Sequence, residues 1–429
     1  MSHQQLNAEE TFLAQPDRHP HRMVHYGHYL FRAPAPLAIF DPGIDKVTGQ
    51  SIFLEGHRQN TVMFADAGAS ADLGGLVWLS PALIYQFFAP LLIILLGYNA
   101  IGRERESGTL GPILASAVTP RNLVFGKALA LFWFASVLLV PLCASAAIAL
   151  TNGESVTAFL FLVLTYLGYL SIWIVLTLLI SSAVQATSSA LATLTALWLT
   201  LSLVFPSIAI NLVTESHPSD GKIETDLQML ADIRKLGDGH NANDKAFEQL
   251  RESVLLEYGV DKIEDLPVNF RGLVAYEGEE KLTGVLNEYA YMRMSEELEQ
   301  ENQYAVFGWL SPMVAARLAS RSISGTDLTH YHRFQTEAEQ VRYDFVQGLN
   351  RAHADLLSYK DDINRNKNEE SRLRARVDSK NWQVLEQFKF DAAPVSERIA
   401  SAKKSTLILL VWLVASTLLL FWRAGKIAP

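Results

Sequence analysis

Cysteine is almost absent from this sequence, in which Cys143 is the one thiol among 429 residues. One thiol cannot close a disulfide within the chain, so a disulfide-stapled scaffold is excluded. Because Cys143 lies inside an apolar run, the cysteine content gives no indication of a redox compartment.

Several motifs that carry catalysis are also missing. The sequence has no Gly-x-x-x-x-Gly-Lys-Ser/Thr loop, so the chain is not itself a P-loop ATPase. It has neither a His-Glu-x-x-His zinc motif nor a Gly-x-Ser-x-Gly nucleophile elbow. We therefore expect no enzyme activity, no catalytic residue, and no cofactor or metal bound by the chain itself.

Charge is missing from five long stretches, which contain no Asp, Glu, Lys, Arg or His: 78–98, 128–150, 157–182, 188–212 and 405–422. Each is near the roughly 20 residues that a helix needs to cross the hydrocarbon of a bilayer. The sequence therefore predicts membrane-spanning helices at these places. Proton-driven carriers usually need an ionisable group inside the membrane, so its absence argues against that class.

The rest of the chain is polar, although 49% of all residues are hydrophobic and only 19% are charged. We divide the sequence into an N-terminal segment (1–77), a membrane region (78–212), a polar insert (213–402), and a last span with a short tail (403–429). The formal net charge of −9 falls mostly in the insert, which indicates the solubility of that part rather than an affinity for nucleic acid.

Helical spacing of apolar residues dominates the insert. It runs through Phe247, Leu250 and Val254, and the longest predicted helix begins after Asp327, its N-cap, and ends near Tyr359. The highly charged segment at 361–376 predicts a solvated turn or helix end. In the N-terminal segment, residues 51–54 are strand-like. The predicted fold class is an all-α polytopic membrane protein with a mostly helical domain inserted before the last span.

The loop at 99–127 joins the first two predicted spans. Its Arg103-Glu104-Arg105-Glu106 run cannot lie in hydrocarbon, so it marks where the chain emerges. Leu110, Ile113 and Leu114 then recur at helical spacing before a turn at Thr119-Pro120. A short amphipathic helix in this place is suited either to docking on a partner protein or to lying on lipid headgroups.

These residues carry a resemblance to a known family. The run from Arg103 to Leu110, followed by Thr119-Pro120-Arg121 and Gly126-Lys127, resembles the first cytoplasmic loop of ABC type-2 transporter permeases. Further segments are similar to a subset of these permeases with a large extracytoplasmic insert: Gly27-His28-Tyr29, Asp41-Pro42-Gly43, 54–60, 265–270, Leu310-Ser311-Pro312 and Gly325-Thr326-Asp327. The broader group includes the permease that takes part in maturing nitrous oxide reductase.

The resemblance implies how the protein works. In that family the loop contains the coupling helix, which seats in a groove of a separate ATP-binding subunit that binds ATP and Mg²⁺. The coupling residues implied here are Arg103, Glu104, Arg105, Glu106, Gly108, Thr109, Leu110, Pro120 and Arg121. A second permease copy or paralogue, and a place in a bacterial inner membrane, are implied in the same way.

The distribution of positive charge predicts the orientation in the membrane. Lys and Arg in the loop, with Arg423 and Lys426, favour the cytoplasm for those ends, which puts the insert and residues 1–77 outside. The family normally has six spans, the first of them upstream of such a segment. Either the N-terminal tail is translocated unaided or a first span is missing from this sequence. We favour the second and expect an apolar stretch of roughly 20 residues encoded upstream of Met1.

Other polar residues have a structural and a functional interpretation. His19, His21, His25 and His28 are irregularly spaced and no carboxylate or thiol accompanies them closely, so we expect a polar tail rather than a metal site. His330 and His332 are two residues apart on a predicted helix, which points them to different sides.

For two further groups we expect structural roles. Glu339 with Arg342 and Asp327 is expected to form a structural polar network. Gln86, Tyr166 and Tyr169 are expected to join helices by hydrogen bonds rather than to line a substrate path.

Two functions from different classes remain open. The first is the membrane subunit of an ABC exporter. The alternative is a membrane-anchored scaffold or receptor whose insert binds a periplasmic protein.

Overall fold

The computed structural model describes residues 3–62, 79–218, 221–239, 241–382 and 389–428. Within these residues five helical segments are long and apolar enough to cross a membrane: Pro81–Glu106, Pro120–Thr151, Val156–Ala183, Thr187–Ser216 and Val395–Ala424. We call them spans 1 to 5 in chain order. The predicted fold class is confirmed, because the chain is an all-α polytopic membrane protein. Residue 78, where the first span was predicted to begin, lies outside the described residues.

The N-terminal segment contains short helices and one small sheet. The helices are α1 (His3–Leu13), α2 (Pro20–Val24) and α3 (Asp45–Thr48), with a 3₁₀ turn at Pro36–Ile39. Strands β1 (His28–Phe31) and β2 (Ser51–Leu54) pair antiparallel, with His28 opposite Leu54, which confirms the predicted strand. Phe12 and Met23 pack on Val346 of the insert, and Leu30 and Ile52 pack on Phe334.

The spans are built from shorter helices. Span 1 contains α4 (Pro81–Leu83), a π-helical turn (Ile84–Phe88), α5 (Ala89–Gly97) and α6 (Gly102–Glu106), and α7 (Leu110–Ala115) follows it. Span 2 contains α8 (Pro120–Leu138) and α9 (Val140–Thr151), and span 3 is α10 (Val156–Ala183). Span 4 contains α11 (Thr187–Leu199), a second π-helical turn (Thr200–Val204) and α12 (Phe205–Ser216). Span 5 is the last helix, α20 (Val395–Ala424).

The π-helical turns hold the bundle together through their carbonyl groups. A π turn shifts the backbone pairing by one residue, and hydrocarbon offers no water to satisfy a carbonyl. Side chains of neighbouring helices donate to three of these oxygens: the Tyr169 hydroxyl to Gln86 O (2.6 Å), the Trp198 indole to Phe87 O (2.9 Å) and the Ser311 hydroxyl to Leu201 O (2.5 Å).

The insert is helical, as predicted. Its helices are α13 (Lys222–Lys235), α14 (Glu248–Tyr258), α15 (Phe270–Val306), α16 (Pro312–Ser324), α17 (Leu328–Leu356), α18 (Tyr359–Asn364) and α19 (Glu369–Arg374), with 3₁₀ turns at Lys245–Phe247, Ile263–Asp265 and Phe307–Trp309. Asp327 caps α17, because its carboxylate accepts the His330 N–H at 3.0 Å. The prediction that α17 is the longest helix was wrong: α15 has 37 residues against 29.

One helix of the insert belongs to the membrane bundle, which the sequence analysis did not predict. Helix α16 packs against spans 3 and 5. Its apolar face shares one core cluster with the spans, and that face consists of Met313, Ala315, Ala316, Ala319 and Ile323. The alanines of this face are small, which lets helix backbones approach closely. In addition, the Trp412 indole of span 5 donates a hydrogen bond to Gly308 O, just before α16, at 3.0 Å. The insert is therefore anchored in the bundle rather than only tethered at its two ends.

Candidate functional site

The chain between the apolar parts of spans 1 and 2 folds into two short helices, α6 at the end of span 1 and α7 after it, joined by a tight turn. Gly108 adopts φ +71°, a backbone conformation that favours glycine. Pro120 begins α8, and the Thr119 hydroxyl caps that helix by accepting the Asn122 N–H at 3.2 Å. In this loop Leu110 is buried, whereas Arg103, Ala115 and Arg121 are exposed.

Glu104 braces the loop from within. One oxygen of its carboxylate contacts the Lys127 ammonium at 2.8 Å, and the other accepts the Thr109 hydroxyl at 2.6 Å. Lys127 lies on span 2 and Thr109 directly precedes α7. The two contacts therefore fix the turn between α6 and α7 against the next span.

The next two charged residues fix the loop against spans 3 and 4. Glu106 accepts the backbone N–H of Thr187 at 2.7 Å, so its negative charge lies at the N-terminus of span 4. Arg105 donates to Val184 O at 3.0 Å, where span 3 has ended and carbonyl groups lack helical partners. Arg423, near the end of span 5, donates to Ser182 O at 2.9 Å.

The predicted coupling residues thus divide into two groups. Glu104, Arg105, Glu106, Gly108, Thr109, Leu110 and Pro120 hold the loop in shape. Arg103 is exposed beside them, and the Arg121 guanidinium lies 4.1 Å from the centre of the Phe421 ring at the end of span 5. The sequence could not separate these groups, because the partners of Arg105 and Glu106 are distant in the chain: Val184 is 79 positions from Arg105, and Thr187 is 81 positions from Glu106.

A polar chain crosses the bundle near the other end of the spans. The Gln86 amide donates to the Tyr166 hydroxyl at 2.9 Å, and that hydroxyl donates to Ser320 of α16 at 3.0 Å. Ser320 in turn donates to the buried Asp41 carboxylate at 2.5 Å. The prediction that Gln86, Tyr166 and Tyr169 join helices is confirmed. The sequence missed Ser320 and Asp41, because neither lies in an apolar run.

The structure divides the N-terminal histidines among three places. His19 lies beside Asp362 (3.1 Å), His21 and His25 lie beside His57, and buried His28 stacks near Phe12, with ring centroids 4.8 Å apart. The expectation that no carboxylate accompanies these histidines was wrong. Asp362 belongs to the insert and becomes a neighbour of His19 only through folding.

Asp362 is the centre of a buried ion network, not part of a solvated turn as predicted. Its side chain is fully buried and accepts from His353 Nε2 (2.9 Å) and the Asn269 amide (3.3 Å), with the guanidinium groups of Arg271 (3.5 Å) and Arg365 close by. Burial raises the pKa of Asp362, but hydrogen bonds from His19 and His353 and the nearby cations outweigh it and hold that pKa far below its usual range.

The contacts of His19 indicate its tautomer in this network. Burial lowers the pKa of His19 despite the adjacent carboxylate. Its Nδ1 accepts the His21 N–H at 3.2 Å, so Nε2 carries the proton and donates to Asp362.

A second buried network surrounds Arg342. Its guanidinium contacts Glu279 at 2.6 Å and Glu339 at 2.8 Å, and it donates to the Thr283 hydroxyl at 2.9 Å. Glu339 and Arg342 were predicted to form a structural network together with Asp327. That last assignment was wrong, because Asp327 caps α17 instead.

His330 and His332 point to different sides, as predicted. The His330 ring lies against Phe390, with centroids 5.3 Å apart, whereas His332 pairs with Glu297 at 2.6 Å.

Comparison with known proteins adds one match. Residues 222–391 match a family described as a domain of unknown function, DUF3526. The match begins at α13 and covers the helices of the insert through α19. No curated protein matches the chain.

Proposed function

We propose that this chain is the membrane-spanning permease subunit of an ATP-binding cassette exporter in a bacterial inner membrane. A separate subunit binds ATP and Mg²⁺ and docks on the loop between spans 1 and 2. A second permease copy or paralogue forms the other half of the transporter.

The observation that carries the proposal is the way the loop is braced while its tip stays exposed. Glu104, Arg105 and Glu106 connect α6 to spans 2, 3 and 4 through the contacts described above. Pro112 and Ala115 of α7, and Ser116 directly after it, are exposed. A force applied to α7 by a partner is therefore transmitted to several spans at once, which is what coupling ATP hydrolysis to transport requires.

The orientation in the membrane follows from charge. Arg103, Arg121, Arg423 and Lys426 lie at the same end of the bundle as α7, and positive residues favour the cytoplasmic side. The insert and the N-terminal segment then lie outside the cytoplasm.

Co-purification tests the docking. The detergent-solubilised chain, isolated from cells that express its whole operon, should carry an ATPase with a P-loop. Arg103→Glu should weaken this association by reversing an exposed charge, and Glu104→Lys should weaken it by breaking the brace to Lys127. Lys367→Glu, an exposed charge reversal in the insert, is the control and should retain the ATPase. Recovery of the intact wild-type chain without any ATPase contradicts the proposal.

Thiol labelling tests the orientation. A cysteine at Asn366, an exposed position in the insert, should react with an impermeant maleimide on intact spheroplasts in a Cys143→Ala background. A second position chosen from the sequence, Ser219, lies outside the described residues. Labelling at Asn366 only after lysis would overturn the orientation.

A membrane-anchored receptor or scaffold is the second candidate function, and one surface favours it. Helix α13 exposes Ile223 (73%), Leu227 (63%) and Leu230 (45%), which recur at helical spacing and form an apolar stripe suited to a protein partner. Loss of a bound protein on changing Leu227 to Lys, with no ATPase found on the loop, would favour this function over the exporter.

A further inference from the structure

Three histidines converge where the N-terminal segment meets the insert. His21 lies on α2 and His25 ends that helix, so their four-residue spacing puts both rings on one side of the helix. Their Nε2 atoms are 3.2 Å apart. His57 approaches from the turn after β2, and its ring centroid lies 5.1 Å from that of His25 and 5.9 Å from that of His21.

The backbone places His57 in this position at a conformational cost. His57 has φ +62°, in the left-handed region that few residues other than glycine occupy. The preceding Gly56 donates its N–H to Val24 O at 2.9 Å, which ties the turn to α2. A Cβ at Gly56 would lie 2.0 Å from Val24 Cγ1, so the approach requires glycine.

A buried carboxylate fixes which nitrogen of His57 is protonated. His57 Nδ1 lies 2.8 Å from Glu279 Oε2, and Glu279 is itself held by Arg342 at 2.6 Å. The Arg342 guanidinium donates to the same carboxylate, so Glu279 acts as the acceptor in both contacts. His57 Nδ1 therefore donates to Glu279 and leaves Nε2 as the basic nitrogen. In metal sites, a ligating histidine usually donates its other ring N–H to a carboxylate in this way, which fixes the tautomer and the orientation of the ring.

We propose that His21, His25 and His57 bind one zinc-like divalent cation, with Glu279 orienting His57. The ligand nitrogens of the three rings lie within 4.8 Å of one another. Two nitrogens about 2.0–2.1 Å from a tetrahedral zinc ion are about 3.3 Å apart, close to the 3.2 Å between His21 and His25. Imidazole suits Zn²⁺ and related late transition metals, and three histidines leave a fourth position for water or an incoming ligand.

A second group of this kind among the described residues, His19, His353 and Asp362, does not fit a cation. Arg271 and Arg365 already neutralise its carboxylate, and both guanidinium groups would repel a metal ion. The three-histidine group differs in charge, because behind His57 the two carboxylates of Glu279 and Glu339 share the single guanidinium of Arg342. This site departs from the sequence-based expectation of no metal, since His57 and Glu279 could not be placed beside α2 from the sequence.

Metal titration of the full chain tests the proposal. The protein, purified in detergent with a tag that contains no histidine and stripped with a chelator, is titrated with Zn²⁺ against a chromophoric competitor and with Co²⁺ by absorption. We expect one zinc per chain, a rise in melting temperature with Zn²⁺, and the visible bands of four-coordinate cobalt. His21→Gln, His25→Gln and His57→Asn should each abolish the cobalt bands. Asn is chosen at residue 57 because it tolerates the left-handed backbone.

Glu279→Gln and His217→Ala complete the experiment. Glu279→Gln should weaken zinc binding by about 10–100-fold without abolishing it, as expected for a group that orients a ligand. His217→Ala, at the end of span 4 and away from the site, should bind zinc as the wild type does. If the wild type binds no zinc, or if the His57→Asn protein binds it equally well, the three rings form a hydrogen-bonded group and the proposal is wrong.

Discussion

Replacing Asp362 by Asn should open the contact between the N-terminal segment and the insert. The Asp362 side chain is fully buried, and His19 and Arg365 reach the same oxygen. Asn keeps the shape but removes the negative charge, and its amide group turns one acceptor into a donor that faces other donors. The guanidinium groups of Arg271 and Arg365 are then left near each other without a counter-ion.

The size of the effect follows from the burial of these groups. Removing one partner of a buried ion pair costs about 3–5 kcal/mol. The side chains of Arg271 and Arg365 are each 28% exposed, so water partly compensates them and we expect the lower end, about 3 kcal/mol. The neighbouring Asp361 is the matched control. Its side chain is 33% exposed and faces Arg374 at 3.3 Å, so Asp361→Asn should cost less than about 1 kcal/mol.

Amide hydrogen exchange on the detergent-solubilised full chain measures this locally. Peptides that contain α2 and α17 should exchange faster in the Asp362→Asn protein, because the free energy of local opening falls. Peptides from span 3 should be unchanged in both variants. Equal protection of α2 in the Asp361→Asn and Asp362→Asn proteins would refute the view that the buried carboxylate holds these segments together.

Two further predictions concern acid and the end of the bundle opposite α7. Burial lowers the pKa of His28 to about 4. Below about pH 6.5 the imidazole of the unfolded chain binds a proton, whereas that of the folded chain stays neutral down to about pH 4. The free energy of unfolding should therefore fall by about 3 kcal/mol between pH 6.5 and 4. Thermal melting against pH should show this fall, and His28→Phe should reduce it; an unchanged slope in the variant contradicts the assignment. The buried side chains of Arg398 and Glu154 are 2.5 Å apart and join span 5 to the turn before span 3. Glu154→Gln should therefore destabilise the protein, and adding Arg398→Met should restore part of the lost stability. A double-mutant cycle should give a coupling of about 1–3 kcal/mol, and additive effects would show that the pair does not act as a unit.

The spans and the main helices of the insert were predictable because their signals are local. A charge-free run, or apolar residues recurring every three or four positions, can be recognised within about 20 residues of sequence. Asp327, as an N-cap, indicates the start of α17 in the same local way. The place of helix α16 in the membrane bundle was not predicted. It has only 13 residues and carries Arg317 and Arg321, so its sequence resembles neither a membrane span nor an ordinary surface helix.

The buried polar groups were not predictable, because their partners are distant in sequence. Asp361 and Asp362 look equivalent in a charged segment, yet only Asp362 meets His19, 343 residues away. Likewise, the contact between His57 and Glu279 joins residues that are 222 positions apart. Packing between distant segments decides which residue of a charged run becomes buried. That packing cannot be inferred from a single sequence.

Site-specific photo-crosslinking from α7 tests the proposed function most directly. A photoreactive amino acid at Ala115, exposed at the end of α7, should form an adduct in living cells with a protein that mass spectrometry identifies as an ATPase with a Gly-x-x-x-x-Gly-Lys-Ser/Thr loop. The same group at Asn366 in the insert should not form this adduct. If Ala115 yields only lipid adducts, or if Asn366 captures the ATPase equally well, the loop is not its docking site and the proposed coupling is wrong.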